Sequence, residues 1–372
     1  HTRFRNVTGV QTCALPIFDA AESTAAEFRS RWDRSPDRTW LGAEVWANPL
    51  QDWRVANGRA ECLRAAGDRN VHALTHQLGA APGTLEARVR IGRVGGGALA
   101  GKGSAGFRVG ILGTLRDHPE WHDFRNNLWP AAGAGFAAGF TADGKLFLGR
   151  TDSPAAVPLD LARDEIELVL NLRPAGETHA ATLTAFAPGQ SSPLAEATLA
   201  GGIVGSLSGN LALVCNFAAA NVGAANAKGK AKAVKKNAVT DGSGVGQFWF
   251  ADWRMSGSKL VANPAPAFGP ILWSQYTLSR GVLKLSAQMP PLGASDDDSV
   301  RLQTASAPGG PWRTVATAKI HPEARVALFR VEKWDATKDT PYRVAYSLRA
   351  RDGSATEHFW TGTIRRSEEH TS

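Results

Sequence analysis

The sequence predicts an all-β protein of two sandwiches in tandem, a larger one over residues 38–258 and a smaller one over 270–366. Three observations predict it. Apolar residues recur with a period of two in short runs, which is the pattern of half-buried strands. Thirty-nine glycines and twenty prolines punctuate a chain of 372 residues, and few runs carry helical spacing. Residues 259–269 form a linker-like break with Pro264, Pro266 and Gly269, after which the strand pattern resumes.

Taken in order, residues 18–37 read as a connector or one short helix, with Phe28 and Trp32 one turn apart. Strands then begin. Trp53-Arg54-Val55 and Arg59–Leu63 flank Asn57-Gly58, a strong hairpin signal. Val71–Leu78 reads as a strand. Leu85, Ala87, Val89 and Ile91 alternate against Glu86, Arg88 and Arg90. Phe107, Val109 and Ile111 share a face within Gly106–Leu112. Phe140–Leu148 reads as a hairpin around Asp143-Gly144. Ile166, Leu168, Leu170 and Leu172 form the next strand face, and Ala181–Phe186 follows. Leu211, Leu213, Cys215 and Phe217 make another, and Gln247–Met255 closes the region. About ten short strands without intervening helices indicate antiparallel sheets packed face to face, as in a jelly roll.

Asp52-Trp53-Arg54-Val55 is echoed by Asp252-Trp253-Arg254-Met255, which suggests first and last strands lying side by side. The larger sandwich resembles concanavalin A-like (laminin G-like) domains, whose final strand has the aromatic-x-Asp-aromatic-Arg-apolar wording of Phe250–Met255.

In the smaller unit the runs are Ile271–Leu278, Val282–Met289, Val300–Ala305, Trp312–Ile320 and Arg325–Val331. A final pair follows. Tyr342, Val344, Tyr346 and Leu348 alternate with Arg343, Ser347 and Arg349, Asp352-Gly353 turns the chain, and Phe359, Trp360 and Ile364 lie on the return strand. Seven strands in about 100 residues fit an immunoglobulin or fibronectin III-like sandwich, and Trp334 with Tyr342 suggests a tyrosine corner.

Both ends carry a separate signal. Val7–Ile17 (VTGVQTCALPI) can be encoded by one strand of an oligonucleotide whose reverse complement, AGATCGGAAGAGCACACGTCT, begins a frame reading RSEEHTS, as in Arg366–Ser372. Residues 1–17 and 367–372 are similar to translated sequencing-adapter read-through and are set aside from fold reasoning. Cys13 then leaves the cysteine count, and the biological protein is expected to continue in both directions.

The formal charge is +8, and Lys228, Lys230, Lys232, Lys235 and Lys236 supply five of those positives. The basic balance therefore describes a loop, and without an aromatic platform beside it no nucleic-acid partner is expected. No apolar run approaches the roughly 18 residues of a membrane span.

Candidate chemistry is sparse. Gly96–Lys102 (GGALAGK) approximates a phosphate-binding loop, but Gly103 stands where Ser or Thr would hold magnesium, and a strand follows instead of a helix. His72 and His76, like His118 and His122, have helical metal-ligand spacing in non-helical contexts. Asp296, Asp297 and Asp298 read as a solvated turn. Cys62 and Cys215 read as buried thiols, with a disulfide as the alternative. The best ligand surface is Trp121, Asp123, Arg125, Asn126, Asn127 and Trp129, because aromatic faces and short polar side chains together suit a glycan. No catalytic, metal-ligating or cofactor-binding residue is assigned.

Trp334–Arg366 carries a second resemblance. Trp334, Asp335, Asp339, Thr340, Pro341, Tyr342, Arg343, Val344 and Tyr346, then Thr361, Gly362, Thr363, Ile364 and Arg365, stand in the order found where the N-terminal β-domain of PhoD-type alkaline phosphatases leads into the metallophosphatase domain. Trp46–Cys62 and Ser104–Ile111 also look like the upstream region of larger members. The resemblance implies an extracellular or periplasmic metallohydrolase of phosphate mono- or diesters. It implies divalent or ferric metal in a catalytic domain that these residues lack, and that domain as the main partner. Motifs of the types G-N-H-[DE] and G-H-x-H are absent, and Gly67-Asp68-Arg69-Asn70 only mimics one metal motif. The fragment is accordingly expected to be non-catalytic. The alternative is a secreted carbohydrate- or surface-binding module.

Overall fold

The computed structural model describes residues 26–67, 69–95, 103–112, 134–149, 151–152, 159, 165–203, 207–217 and 247–367. In chain order the larger sandwich contains β1 (Glu27–Arg29), β2 (Val45–Asn48), β3 (Trp53–Ala56), β4 (Arg59–Cys62), β5 (Arg69–Leu78), β6 (Leu85–Arg93), β7 (Gly103–Leu112) and β8 (Ala134–Thr141). It continues with β9 (Leu146–Leu148), β10 (Thr151–Asp152), β11 (Ile166–Ala175), β12 (Thr178–Phe186), β13 (Pro193–Ile203), β14 (Gly209–Phe217), β15 (Phe248–Ser256) and β16 (Leu260–Ala262). The smaller sandwich follows with β17 (Trp273–Ser279), β18 (Val282–Gln288), β19 (Ser299–Thr304), β20 (Arg313–Lys319), β21 (Val326–Val331), β22 (Thr340–Arg349) and β23 (Ala355–Ile364).

The all-β expectation holds. One sheet runs β13-β12-β11-β6-β15-β4-β3 with β1 on β15, and the other runs β10-β9-β8-β7-β14-β5-β16 with β2 on β5. All pairings are antiparallel, so alternate residues of each strand meet in one core. Ile166, Leu168, Leu170 and Leu172 enter it from one sheet, and Phe107, Val109, Leu213 and Phe217 from the other. Asn57 (φ 54°) and Gly58 (φ 77°) take the left-handed conformation that the β3–β4 hairpin needs.

Several expectations are corrected. Residues 27–34 form no helix: Phe28 lies on β1 and Trp32 in a single 3-10 turn. Their side chains instead pack at Trp253, with ring centroids 5.0 and 6.5 Å away. The echoed strands β3 and β15 share a sheet but have β4 between them. Within the stretch read as a linker, Leu260–Ala262 pairs with β5 of the larger sandwich.

The smaller sandwich packs β17-β18-β21 against β20-β19-β22-β23. Val344 and Tyr346 are completely buried and Tyr342 nearly so, while Arg343 and Arg349 face outward, as the alternation predicts. The tyrosine corner does not form at Tyr342, whose hydroxyl pairs with Ser274 Oγ at 2.8 Å. Tyr346 instead donates to a backbone carbonyl, that of Asp297, at 2.9 Å.

The two sandwiches meet through residues 34–40. The backbone of Arg38 bridges to Val55 in the larger unit. Its guanidinium crosses to the smaller one, where Nη2 donates to Arg349 O at 2.9 Å and Nη1 lies 3.5 Å from Asp296 Oδ1. Both side chains of that ion pair are buried. Arg351 reaches back, with its N–H on Arg34 O and its guanidinium 2.9 Å from Asp37. At Gly293 a Cβ would come within 2.1 Å of Asp37 O, so only glycine permits this approach.

Candidate functional site

The outer face of the larger sandwich holds a cleft of about 660 Å³ at β1, β15 and β6. Strand register builds its floor. Arg29 lies opposite Arg254, and Arg254 lies opposite Arg88, so three arginines stand in one row across three adjacent strands. Like charges in directly opposed positions repel. Carboxylates placed around the row offset this. Asp252 lies 3.2 Å from Arg29 and 2.5 Å from Arg254, while Glu86 and Glu167 lie 3.2 and 3.1 Å from Arg88.

Asp252 reaches both arginines because the β15–β6 register slips between Ala251 and Arg254. This bulge leaves Asp252 at φ 49°, faces its carboxylate outward and sends Trp253 fully into the core. Burial opposes ionisation of Asp252. The hydrogen bond from Arg254 and the charges of Arg254, Arg29 and Arg90 outweigh it and hold the carboxyl below its usual range. The bond to Asp252 correspondingly raises Arg254. Arg31 and Glu44, 3.8 Å apart, with Arg34, complete the walls. The result is a polar cleft of ligand size, with guanidinium forks and carboxylates alternating along it. It offers hydrogen-bond donors and acceptors to a polar ligand.

A second polar-aromatic surface lies on the outer face of the smaller sandwich. The Arg343 guanidinium sits 3.9 Å from the Phe359 ring centroid and 4.6 Å from that of Trp312. Its Nε donates to Gln303 at 2.7 Å, and Arg301 binds Glu357 beside it.

The residues singled out in the sequence fare differently. Trp121, Asp123, Arg125, Asn126, Asn127 and Trp129 lie outside the described residues, as do Gly96–Lys102, His118, His122 and the lysine run at 228–236. His72 and His76 lie on β5 and have separate partners, Asn210 Oδ1 at 2.8 Å and Thr75 Oγ1 at 2.9 Å. Burial lowers the pKa of both. The three aspartates also separate: Asp296 faces Arg38, Asp297 faces Arg349 and Asp298 faces Lys319. Among the described residues no group of three or more His, Cys, Asp or Glu is placed to hold a metal.

The cleft was missed in the sequence. Arg29 falls in the stretch 18–37 whose sequence suggests only a connector or one short helix. In the sequence Arg88 is a polar position of one strand and Arg254 belongs to the final-strand motif of another, and no local pattern shows that register aligns them.

No family model matches this chain, and no curated protein matches it. Among solved structures, the metal-free lectin I-B4 from Griffonia simplicifolia is similar, with 10% identity, 63% of this chain and 99% of that chain covered, and a TM-score of 0.37. Lectin II from Ulex europaeus has 9% identity, coverage of 62% and 98%, and a TM-score of 0.36. The exoplasmic/lumenal domain of VIP36 in its Ca2+/Man3GlcNAc-bound form has 7% identity, coverage of 59% and 83%, and a TM-score of 0.32. At such values the architecture rests on the strand order and register above. The resemblance to PhoD-type phosphatases gains nothing from these comparisons. No helix among the described residues is long and apolar enough to cross a membrane.

Proposed function

We propose that this chain is a non-catalytic recognition unit whose larger sandwich binds a polyhydroxylated, carbohydrate-like ligand. The observation that carries this reading is the cleft over Arg29, Arg254 and Arg88. Its volume suits an oligosaccharide segment, and its paired guanidinium and carboxylate groups supply the dense, directional hydrogen bonding that sugar hydroxyls require. A glycan array followed by titration calorimetry tests it. Binding is expected in the intact chain and should fall at least tenfold in the paired variant Arg88→Ala, Arg254→Ala. Unchanged binding in that variant, with loss in Trp121→Ala, Trp129→Ala, would move the site to the segment between Leu112 and Ala134.

A second reading, that of support domains for a PhoD-like metallophosphatase of the cell exterior, is favoured by one specific observation. The stretch after β23 is pinned. Asp339 takes the Arg366 N–H at 2.8 Å and the Arg365 guanidinium at 2.7 Å, and Tyr276 Oη takes the Arg365 N–H. Asp339 belongs to the motif on which that resemblance rests. Such an anchor would set the direction of a following catalytic domain. Genomic sequence beyond Arg365 that lacks clustered Asp, Asn and His metal motifs would reject this reading. The fragment alone should show no metal-dependent phosphatase turnover above blank.

A further inference from the structure

We propose that Cys62 and Cys215 form a disulfide between the two sheets of the larger sandwich, made while the chain folds and then sealed in its core. The two residues are 153 positions apart in sequence. Cys62 ends β4 in one sheet, and Cys215 lies on β14 in the other, opposite Ala105 of β7 and Arg69 of β5. Sheet packing brings them together. Both are completely buried and belong to the same core cluster. Their thiols are hydrogen-bonded to one another, and Cys62 Sγ also lies 3.4 Å from Arg64 O. Among the described residues no third His, Cys, Asp or Glu joins them to make a metal site. Two thiols in mutual contact, shut off from water and without a metal, are the reduced form of a cross-link.

The chemistry needs an oxidant of the disulfide class, such as oxidised glutathione. One cysteine thiolate attacks a sulfur of the oxidant, forming a mixed disulfide and releasing one small thiol. The second thiolate attacks the protein sulfur of that mixed disulfide and releases the other small thiol. Each protein thiol gives up its proton, the two sulfurs lose two electrons in all, and the oxidant is reduced to two thiols. In the folded state the hydrogen bond that Cys215 donates to Cys62, then burial, push the Cys215 thiol well up, and both sulfurs are completely buried, out of reach of a dissolved oxidant. Exchange therefore belongs to the unfolded or partly folded chain. The redox state set at folding persists afterwards.

The test uses the full chain carrying Cys13→Ser, which leaves only these two cysteines. One portion is refolded in a glutathione redox buffer, the other in excess dithiothreitol. Each is then denatured, alkylated with N-ethylmaleimide and weighed. The oxidised portion should take no label and be lighter than its unlabelled reduced counterpart by two hydrogen masses. The reduced portion should take two labels. Melting of the larger sandwich should rise by roughly 5–10 °C on oxidation. The Cys62→Ala, Cys215→Ala variant should show no redox-dependent melting. Two labels on protein refolded oxidatively to a native near-ultraviolet spectrum would overturn the proposal. So would a cross-link found only between chains.

Discussion

Among the described residues, four tryptophans of the larger sandwich are sealed from solvent, whereas two of the smaller one are exposed. Trp32, Trp40, Trp53 and Trp253 are at most 2% exposed, whereas Trp273 and Trp360 are 37% and 36% exposed. The difference follows from sheet size. Two eight-stranded sheets enclose enough volume to surround an indole on every side. Sheets of three and four strands leave most strands near an edge. Trp360 shows this well. It pairs with the buried Val344 on the inward parity of β23, yet β23 is the edge of its sheet and one flank of the ring stays open. Outward parity is used differently too. On the larger unit it carries the arginine row, and on the smaller one the Arg343 stack against Phe359 and Trp312. A count of aromatic residues thus says nothing of their role until strand order is known.

The contrast can be broken first at its strongest point. Trp253→Ala removes a fully buried ring packed on Phe28 and Trp32 and should cost about 3–5 kcal/mol. Calorimetry should show the larger sandwich melting early with the smaller one unmoved. An equal shift of both would mean that the cores do not act separately.

Arg38→Ala should come next, at about 3 kcal/mol, because it strands the buried Asp296 carboxylate at the junction. The melting steps of the two units should move apart. Adding Asp296→Ala should recover part of the loss, and no recovery would argue that Arg38 acts through packing alone.

Acid should separate the units more gently. Burial lowers the pKa of His72, His76 and His179 in the larger sandwich, and of His358 in the smaller. A lowered histidine pKa means that the unfolded chain takes its proton first. Stability is therefore intact above the ordinary value of 6.5 and falls as pH drops below it. Urea titrations at stepped pH should show the larger sandwich weakening more.

The smallest effect belongs to the aromatic stack. Phe359→Ala should change the stability of the smaller sandwich by about 1 kcal/mol or less, since nearly half of the residue is exposed. A loss as large as that from Trp253→Ala would show that this face is part of a core.

The strands that were legible are those with a clean period of two or a turn dipeptide at one end. β6, β11 and β22 follow from alternation, and the β3–β4 and β22–β23 hairpins from Asn57-Gly58 and Asp352-Gly353. β1 is not legible because Phe28 and Trp32, four positions apart, fit one turn of helix and show no period of two. They meet through Trp253, more than two hundred residues later. β16 was hidden among linker residues because its partner β5 lies far upstream.

The sequence by itself determined the strand content, the hairpin turns and the division of apolar residues into two cores, because each of these is written in residues a few positions apart. Only the tertiary structure decided that Arg29, Arg88 and Arg254 share a row, that Arg38 spans two sandwiches and that Cys62 touches Cys215. In antiparallel sheets, neighbours across strands are set by register and strand order. Those arise from closing both sheets over a common core, and no local pattern in the chain encodes them.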